Sequence, residues 1–324
     1  MKRTHVISAV LGVLVLASAA YLVLRTRPKS PEQVEIGTFS KALSYAPLYV
    51  AKHFGWFQEH PTFHGAEIVY KEFNDRPAIS AALTAHEITL LFSAEIPAIM
   101  CEAQGNDLQI WGLSSTATQK VLVRSGLGIS QPGQLRGRRI AVLQGTSSHY
   151  GLLSILRIAQ LSEADISISY MPPGEARSAF ETGQIDAWAV WAPFVEEQEV
   201  RGTGVEIGGE GAWIHSVLSV PAYVFTDHPE VARAAQEIIY RAKDWIVAHP
   251  ADAEDIVARE MGLKLEVVQR AWPKFTWSTG ITEAIVQDTQ QKADFLAELN
   301  KTRGDIRVDV RKDLFAPGVI QKSR

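Results

Sequence analysis

The chain has 324 residues, of which 46% are hydrophobic and 21% charged, with 32 Lys and Arg against 36 Asp and Glu. This composition excludes a disordered, collagen-like or wholly membrane-embedded protein, and the net charge of −4 gives no electrostatic reason to expect nucleic acid. The single cysteine, Cys101, excludes an intrachain disulfide and a cysteine-based zinc site.

The N-terminal segment is apolar and flanked by basic residues. Residues 6–24 carry no charge, while two basic residues precede them and three follow closely. This length can span a bilayer as a helix, and Ala17-Ser18-Ala19 offers a small-residue cleavage pattern. The sequence therefore predicts, for residues 1–33, either a cleaved signal peptide or a retained inner-membrane anchor, followed by a tether. In both cases the remaining chain is expected to be periplasmic or otherwise extracytoplasmic.

Strands and helices then alternate along the first part of the exported chain. The residue pattern predicts strands at 34–37, 67–73, 88–92 and 108–113, and helices at 45–57, 76–85 and 96–104. This alternation indicates an α/β sheet with crossover helices.

A second α/β unit follows, and the C-terminal part is nearly all helical. We predict strands at 119–124, 138–143, 166–170 and 185–191, a strand over 217–225 broken by Pro221, and helices at 148–161, 175–182, 193–200, 230–248, 251–261, 264–271 and 282–299. The segment 202–207 resembles the start of a dinucleotide fingerprint but has Ile207 at its third glycine position, and is predicted to be a plain loop. The fold class is α/β with two lobes.

A cluster of hydroxyl residues, Thr146, Ser147 and Ser148, stands between a predicted strand and a predicted helix. The free N–H groups and the positive dipole at a helix start can bind an anion. The alternative is that Ser147 or Ser148 is simply an N-cap. A hydrolase nucleophile elbow is disfavoured, because His149 stands where that motif needs glycine.

Three hydroxyl-bearing loops are predicted at the carboxyl ends of strands, at Ser40, at Ser93 and at 146–148. Ligands of open α/β sheets bind at such ends. Trp188 and Trp191, at the end of another apolar strand, could pack in the core or line the same crevice. The pattern predicts a binding site more than a reaction centre.

Several motifs resemble the nitrate/sulfonate/taurine substrate-binding proteins of ABC importers. They are Tyr45-Ala46-Pro47-Leu48-Tyr49-Val50-Ala51-Lys52 with Gly55-Trp56-Phe57, Ser93-Ala94-Glu95-Ile96-Pro97-Ala98, Leu135-Arg136-Gly137-Arg138-Arg139-Ile140-Ala141 leading to Gly145-Thr146-Ser147-Ser148-His149, Pro173 to Phe180, Gly183 to Trp191, and Val308 to Pro317. The likeness covers about residues 34–317. Its Gly-Thr-Ser-Ser-His and Asp-Ala-Trp-Ala-Val-Trp stretches point to the aliphatic-sulfonate branch.

The resemblance implies a type II periplasmic-binding-protein fold, with the ligand in a cleft between two α/β lobes. It implies no catalysis and no cofactor, and it implies an ABC permease and its ATPase as partners. No metal site is expected. Through its third motif it adds His149 to the candidate ligand-binding residues. Two motifs depart from the family. Trp191-Ala192-Pro193 stands where the family frequently has Trp-Asp-Pro, and Ser93-Ala94-Glu95 stands where Thr-Gly-Asp is common.

The expected ligand is a small organic anion, an alkanesulfonate. The alternatives are a taurine- or nitrate-type ligand, a membrane-tethered ligand sensor, and a biosynthetic enzyme on the same fold. We expect lobe one to comprise residues 34–118 and 222–317 and lobe two residues 119–221, with hinges near Thr118 and Pro221.

Overall fold

A computed structural model describes residues 32–209, 211–277, 280–299 and 307–321. The predicted apolar helix at residues 6–24 lies outside these ranges. Within them, no helix is both long enough and apolar enough to cross a membrane.

Eleven strands are present in these ranges: β1 (Gln33–Phe39), β2 (Glu67–Phe73), β3 (Leu90–Ala94), β4 (Leu108–Thr118), β5 (Val121–Arg124), β6 (Arg139–Val142), β7 (Ser167–Tyr170), β8 (Ala187–Ala189), β9 (Gly204–Ile207), β10 (Trp213–Pro221) and β11 (Phe275–Thr276). The helices of the same ranges are α1 (Ala46–His53), α2 (Trp56–Glu59), α3 (Arg76–Thr84), α4 (Glu95–Glu102), α5 (Ser147–Ile158), α6 (Pro173–Glu181), α7 (Phe194–Val200), α8 (Ala222–Asp227), α9 (Pro229–Ala248), α10 (Pro250–Met261), α11 (Leu265–Ala271) and α12 (Glu283–Leu299).

Local sequence explains where several helices begin and end. The Asp75 side chain accepts a hydrogen bond from the Ala78 N–H at 2.8 Å and so caps α3. Pro229 and Pro250 each occupy the first position of a helix, where a missing N–H costs nothing. Gly262 ends α10 in the left-handed conformation, with φ +63°.

The strands form two sheets. The first has the order β11-β4-β10-β3-β1-β2, with β1 parallel to β2 and β3 and with β10 antiparallel to β3 and β4. The second has the order β7-β6-β8-β5-β9, with β6 parallel to β7 and β8 and with β5 antiparallel to β8 and β9. The predicted α/β class is therefore confirmed.

Two predictions about elements are wrong. Residues 204–207, predicted as a loop, form β9 and pair with β5. Gly204 belongs there because a Cβ at this position would lie 2.7 Å from Leu122 Cδ1, so the glycine permits a close approach between strands. The strand predicted over 217–225 instead runs over 213–221, and residues 222–227 form α8.

Strand β10 lies within residues 119–221, the range expected for lobe two. It pairs with β3 and β4 in the first sheet. The chain thus returns to the first sheet before Trp213. Beside this return, the Gln119 N–H donates to the Ala212 carbonyl oxygen at 2.6 Å, so the two segments that cross between the sheets are bonded to each other.

The hydrophobic core has separate parts for the two sheets. The largest cluster packs α1, α9 and α10 against the first sheet, through residues such as Ile36, Val50 and Ile239. Another lies between α5 and the second sheet, through Leu152 and Ile140. Two cavities lie in the space between the sheets.

Candidate functional site

Two adjoining cavities lie between the sheets. Cavity A is lined by Phe39, Ala42, Ser44, Tyr45, Ala94, Pro97, Thr146, Ser147, Ser148, Trp191, Ile214 and Ser216. Cavity B is lined by Ser44, Ser115, Ala117, Thr118, Gln119, Lys120, Val190, Trp191, Ala192, Val195, Glu196, Glu206, Ile214, Ser216, Lys274 and Phe275. Four residues, Ser44, Trp191, Ile214 and Ser216, line both, so the two cavities share a wall.

The N-terminus of α5 forms one wall of cavity A. Gly145 makes the turn before it with φ +74°, which favours glycine. The Thr146 hydroxyl accepts a hydrogen bond from the His149 N–H at 3.3 Å and donates to the Leu143 carbonyl oxygen at 2.7 Å. The N-cap is therefore Thr146, and the alternative that Ser147 or Ser148 is the cap is wrong.

The N–H groups of Ser147 and Ser148 precede the first intrahelical bond, in which the Tyr150 N–H donates to the Thr146 carbonyl oxygen. Such N–H groups have no acceptor within the helix. They lie at the positive end of a twelve-residue helix, which favours negative charge. This end of cavity A can therefore hold an anion.

The two serine hydroxyls connect α5 to other parts of the molecule. Ser147 Oγ lies 3.5 Å from Oε2 of Glu95, the first residue of α4. Ser148 Oγ donates to Gln119 Oε1 at 2.7 Å. Both serines are buried. An anion in cavity A could accept hydrogen bonds from these two hydroxyls in place of the two protein acceptors.

Glu95 belongs to a buried ion-pair network behind cavity A, which the sequence did not reveal. Its carboxylate accepts a hydrogen bond from the His215 N–H at 2.9 Å and forms an ion pair with Lys292, which also pairs with Asp288. Burial lowers the pKa of Lys292, but the charges of Glu95 and Asp288 outweigh it and hold this pKa above its ordinary value. Lys292 therefore stays protonated, and Glu95 is held by a full positive charge.

Trp191 stands between the cavities. Its indole N–H donates to the Lys41 carbonyl oxygen at 3.2 Å, and the neighbouring Ala192 carbonyl oxygen accepts a hydrogen bond from the Leu43 N–H, also at 3.2 Å. These bonds join the end of the β8 segment to the loop after β1. The ring is partly buried, and it can cover an apolar part of a ligand.

Ser40 and Ser93, two of the predicted ligand-binding residues, line neither cavity A nor cavity B. Ser40 has φ +58°, and its N–H donates to the Phe73 carbonyl oxygen at 2.6 Å. Ser93 lies within β3, and its hydroxyl donates to the Ala94 carbonyl oxygen at 3.0 Å. Their neighbours Phe39, Ala42 and Ala94 line cavity A instead.

His149 and Trp188 also line neither cavity. The His149 Nδ1 accepts a hydrogen bond from the Gly145 N–H at 3.4 Å, and burial lowers the pKa of this imidazole. This geometry favours a neutral His149 that supports the turn at Gly145. Trp188 is 1% exposed and packs between Phe180 and Phe194, so it is a core residue.

A second charged cluster, also missed in the sequence, lies on cavity B. Lys274 Nζ contacts the carboxylates of Glu196 at 2.7 Å, Glu206 at 2.6 Å and Glu199 at 3.2 Å. Burial lowers the pKa of Lys274, but the charges and hydrogen bonds of Glu196 and Glu206 raise it above its ordinary value. Burial also raises the pKa of Glu196.

The described residues offer little for metal or thiol chemistry. No group of three or more His, Cys, Asp or Glu side chains among them is placed to hold a metal ion. Cys101 is buried, and burial raises the pKa of its thiol to about 11. A thiol of that pKa supplies little thiolate at neutral pH, so Cys101 is a poor nucleophile.

The chain belongs to the NMT1/THI5 like family, whose pattern it matches over residues 43–253. It is 28% identical over 286 residues to a Bacillus subtilis (strain 168) protein named for the binding of aliphatic sulfonates, covering 86% of this chain and 85% of that one. It is 26% identical over 190 residues to the taurine-binding periplasmic protein of Escherichia coli (strain K12), covering 57% of this chain and 59% of that one.

Solved structures share the fold. The periplasmic aliphatic sulphonate binding protein of Escherichia coli superposes with a TM-score of 0.74 at 24% identity, over 88% of this chain and 98% of that one. The alkanesulfonate-binding protein of Xanthomonas axonopodis pv. citri gives 0.73 at 24% identity, over 91% and 100%. A desulfurization enzyme gives 0.64 at 17% identity, over 88% and 97%, so the same fold also supports catalysis. The predicted two-lobed periplasmic-binding-protein fold is confirmed.

Proposed function

We propose that this protein is an extracytoplasmic solute-binding protein of an ABC importer, and that it captures an aliphatic sulfonate in cavity A for delivery to the permease. The observation that carries the proposal is the N-terminus of α5. There Ser147 and Ser148 place hydroxyl and N–H donors on a cavity between two sheets, beside the Trp191 ring.

The donors suit an anion of modest size. A hydrogen bond to a charged group contributes roughly 1.5–3 kcal/mol, and the helix terminus adds roughly 0.3–2 kcal/mol. A few such bonds, after the cost of ordering the ligand, reach the roughly −8 kcal/mol of micromolar binding. Trp191 would pack on the alkyl chain. The names of the relatives from Bacillus subtilis and Escherichia coli support this choice of ligand class.

Ligand capture would use closure of two lobes. With β10 in the first sheet, we propose residues 34–118 and 213–317 as lobe one and residues 119–212 as lobe two, with the hinge where Gln119 bonds to Ala212. Ser147 to Glu95 and Trp191 to Lys41 are contacts that cross between the lobes at the ligand site. A ligand touching both lobes would favour the closed form, and solution scattering would show a smaller radius of gyration when it binds.

A thermal-shift screen tests the proposal, because a ligand that binds the folded state raises the melting temperature. The screen uses ethane-, butane- and octanesulfonate, taurine, nitrate and sulfate. We expect the largest increase with an alkanesulfonate. A largest increase with taurine or nitrate would reassign the ligand, and no increase with any anion would overturn the proposal.

A further inference from the structure

Glu196, one of the residues that line cavity B, has a carboxylate oxygen without a hydrogen-bond partner in the described part of the chain. Glu196 is only 1% exposed and lines the cavity. Its Oε1 accepts a hydrogen bond from Lys274 Nζ at 2.7 Å, whereas its Oε2 is buried and makes no hydrogen bond with any group in the described part of the chain. A buried acceptor left unsatisfied is costly, so native proteins usually pair it.

The charges around Glu196 are already balanced. Lys274 contacts Glu196, Glu199 and Glu206, while Lys120 lies 3.7 Å from Glu206 and Arg270 lies 4.0 Å from Glu199. Three carboxylates therefore face three cations. An ammonium group entering cavity B would lose its hydration without meeting an excess negative charge. A neutral donor would satisfy Oε2 without that cost.

The cavity that holds the proposed sulfonate site adjoins the cavity that Glu196 lines, since Ser44, Trp191, Ile214 and Ser216 line both. Resting on the proposed function, we propose that cavity B is a second subsite, in which Glu196 Oε2 accepts a hydrogen bond from a ligand hydroxyl. The preferred ligands are then hydroxyalkanesulfonates, with the sulfonate at α5 and the hydroxyl at Glu196.

Isothermal titration calorimetry with matched ligand pairs tests this subsite. The pairs are 2-hydroxyethanesulfonate with propanesulfonate, and 3-hydroxypropanesulfonate with butanesulfonate, because each member of a pair has about the same size and charge. We expect the wild-type protein to bind at least one hydroxyl ligand about tenfold more tightly than its partner, as one hydrogen bond to a buried carboxylate implies.

Glu196→Gln is the matching variant. Since Lys274 donates to one oxygen of Glu196, the amide oxygen of the variant would take that place and its NH₂ group would replace Oε2, which removes the acceptor. The hydroxyl preference should then fall, because the variant offers the ligand a donor in place of a carboxylate acceptor. The comparison is made within each ligand pair, since the lost charge changes the affinity for both sulfonates. Glu199→Gln is the control, because Glu199 contacts the same Lys274 but does not line cavity B; it should keep the preference.

The outcomes separate the subsite from the proposed function. If the wild-type protein binds propanesulfonate and butanesulfonate but shows no hydroxyl preference, or if Glu196→Gln keeps it, the subsite proposal is wrong and sulfonate binding stands. A tenfold preference for 2-aminoethanesulfonate over every hydroxyl ligand would also overturn it, in favour of an ammonium site. Binding of no sulfonate would overturn both proposals. The wild-type ligand series decides the question even if Glu196→Gln fails to fold.

Discussion

The indole N–H of Trp191 and the carbonyl oxygen of Lys41 are 3.2 Å apart, although 150 residues separate them in the chain. This hydrogen bond joins the two sheets beside both cavities, so we propose two separable functions for Trp191. Its N–H holds the two halves of the site together, and its ring presents an apolar face to the proposed ligand.

Substitutions at Trp191 separate these functions. Trp191→Phe removes the N–H but keeps an aromatic face, so we expect sulfonate affinity to fall only a few-fold. Trp191→Ala also removes the apolar cover, and affinity for butanesulfonate should fall at least about tenfold. Calorimetry on both variants measures the difference. Equal losses in the two variants would show that the ring does not contact the ligand.

Ser148 tests the anion site with charge as the single variable. Ser148→Asp sets a carboxylate beside the ligand anion in a buried position, whereas Ser148→Asn has the same shape without the charge. We expect Ser148→Asn to weaken sulfonate binding modestly and Ser148→Asp to abolish it. Ser147 is less suitable, because an Asp there would also repel Glu95, 3.5 Å from the serine hydroxyl. If the Asp and Asn variants bind the sulfonate with similar affinity, the anion does not bind at this end of α5.

The ion pair between Lys292 and Glu95 is fully buried, with both side chains 0% exposed. Lys292→Met would leave Glu95 without its counter-charge, and breaking a buried pair in this way costs about 3–5 kcal/mol. The double variant Lys292→Met, Glu95→Gln removes both charges and should recover much of that loss. Chemical denaturation of the three proteins measures it. A single variant as stable as the wild type would show that the ion pair with Lys292 does not stabilise the fold.

The carboxyl of Glu102 makes the free energy of unfolding depend on pH. Burial raises the pKa of its carboxyl to about 7 from an ordinary 4.5, although the Leu108 N–H, at 2.7 Å, favours the charged form. Between these two values the folded state binds more protons than the unfolded state, so stability falls as the pH rises through this window.

Glu102→Gln keeps the acceptor for Leu108 without the charge. Its melting temperature should exceed that of the wild type at pH 8, and the difference should become small near pH 4, where Glu102 is mostly protonated in both states. The exposed Glu87→Gln is the control and should show no such dependence. A difference that is the same at both pH values would assign the effect to packing rather than to ionisation.

Much of the fold follows from local pattern. The alternation of short apolar strands with helices predicts two α/β units, because each strand must bury its side chains beneath a helix. Strand β9 was missed because Gly202 and Gly204 resemble loop residues, while the space against Leu122 that requires Gly204 exists only after folding. The return of β10 to the first sheet depends on its partners β3 and β4, which no local pattern specifies.

The candidate site likewise has a part that the local sequence predicts and a part that it does not. The hydroxyl cluster at the start of α5 is a local feature, visible where a strand gives way to a helix. The pairing of Lys292 with Glu95 joins residues 197 positions apart, and that of Lys274 with Glu196 joins residues 78 apart, so neither is visible in the sequence. The different placement of the two tryptophans was not predictable from strand alternation, since Trp188 lies in β8 while Trp191 follows its end.

Calorimetric titration of the wild-type protein with butanesulfonate tests the central claim, that cavity A binds an aliphatic sulfonate, most directly. Butanol serves as the matched ligand without the anion. We expect one site per chain, a dissociation constant in the micromolar range or below, and no measurable binding of butanol. Absence of saturation by butanesulfonate up to millimolar concentration, or equal binding of butanol, would contradict the claim.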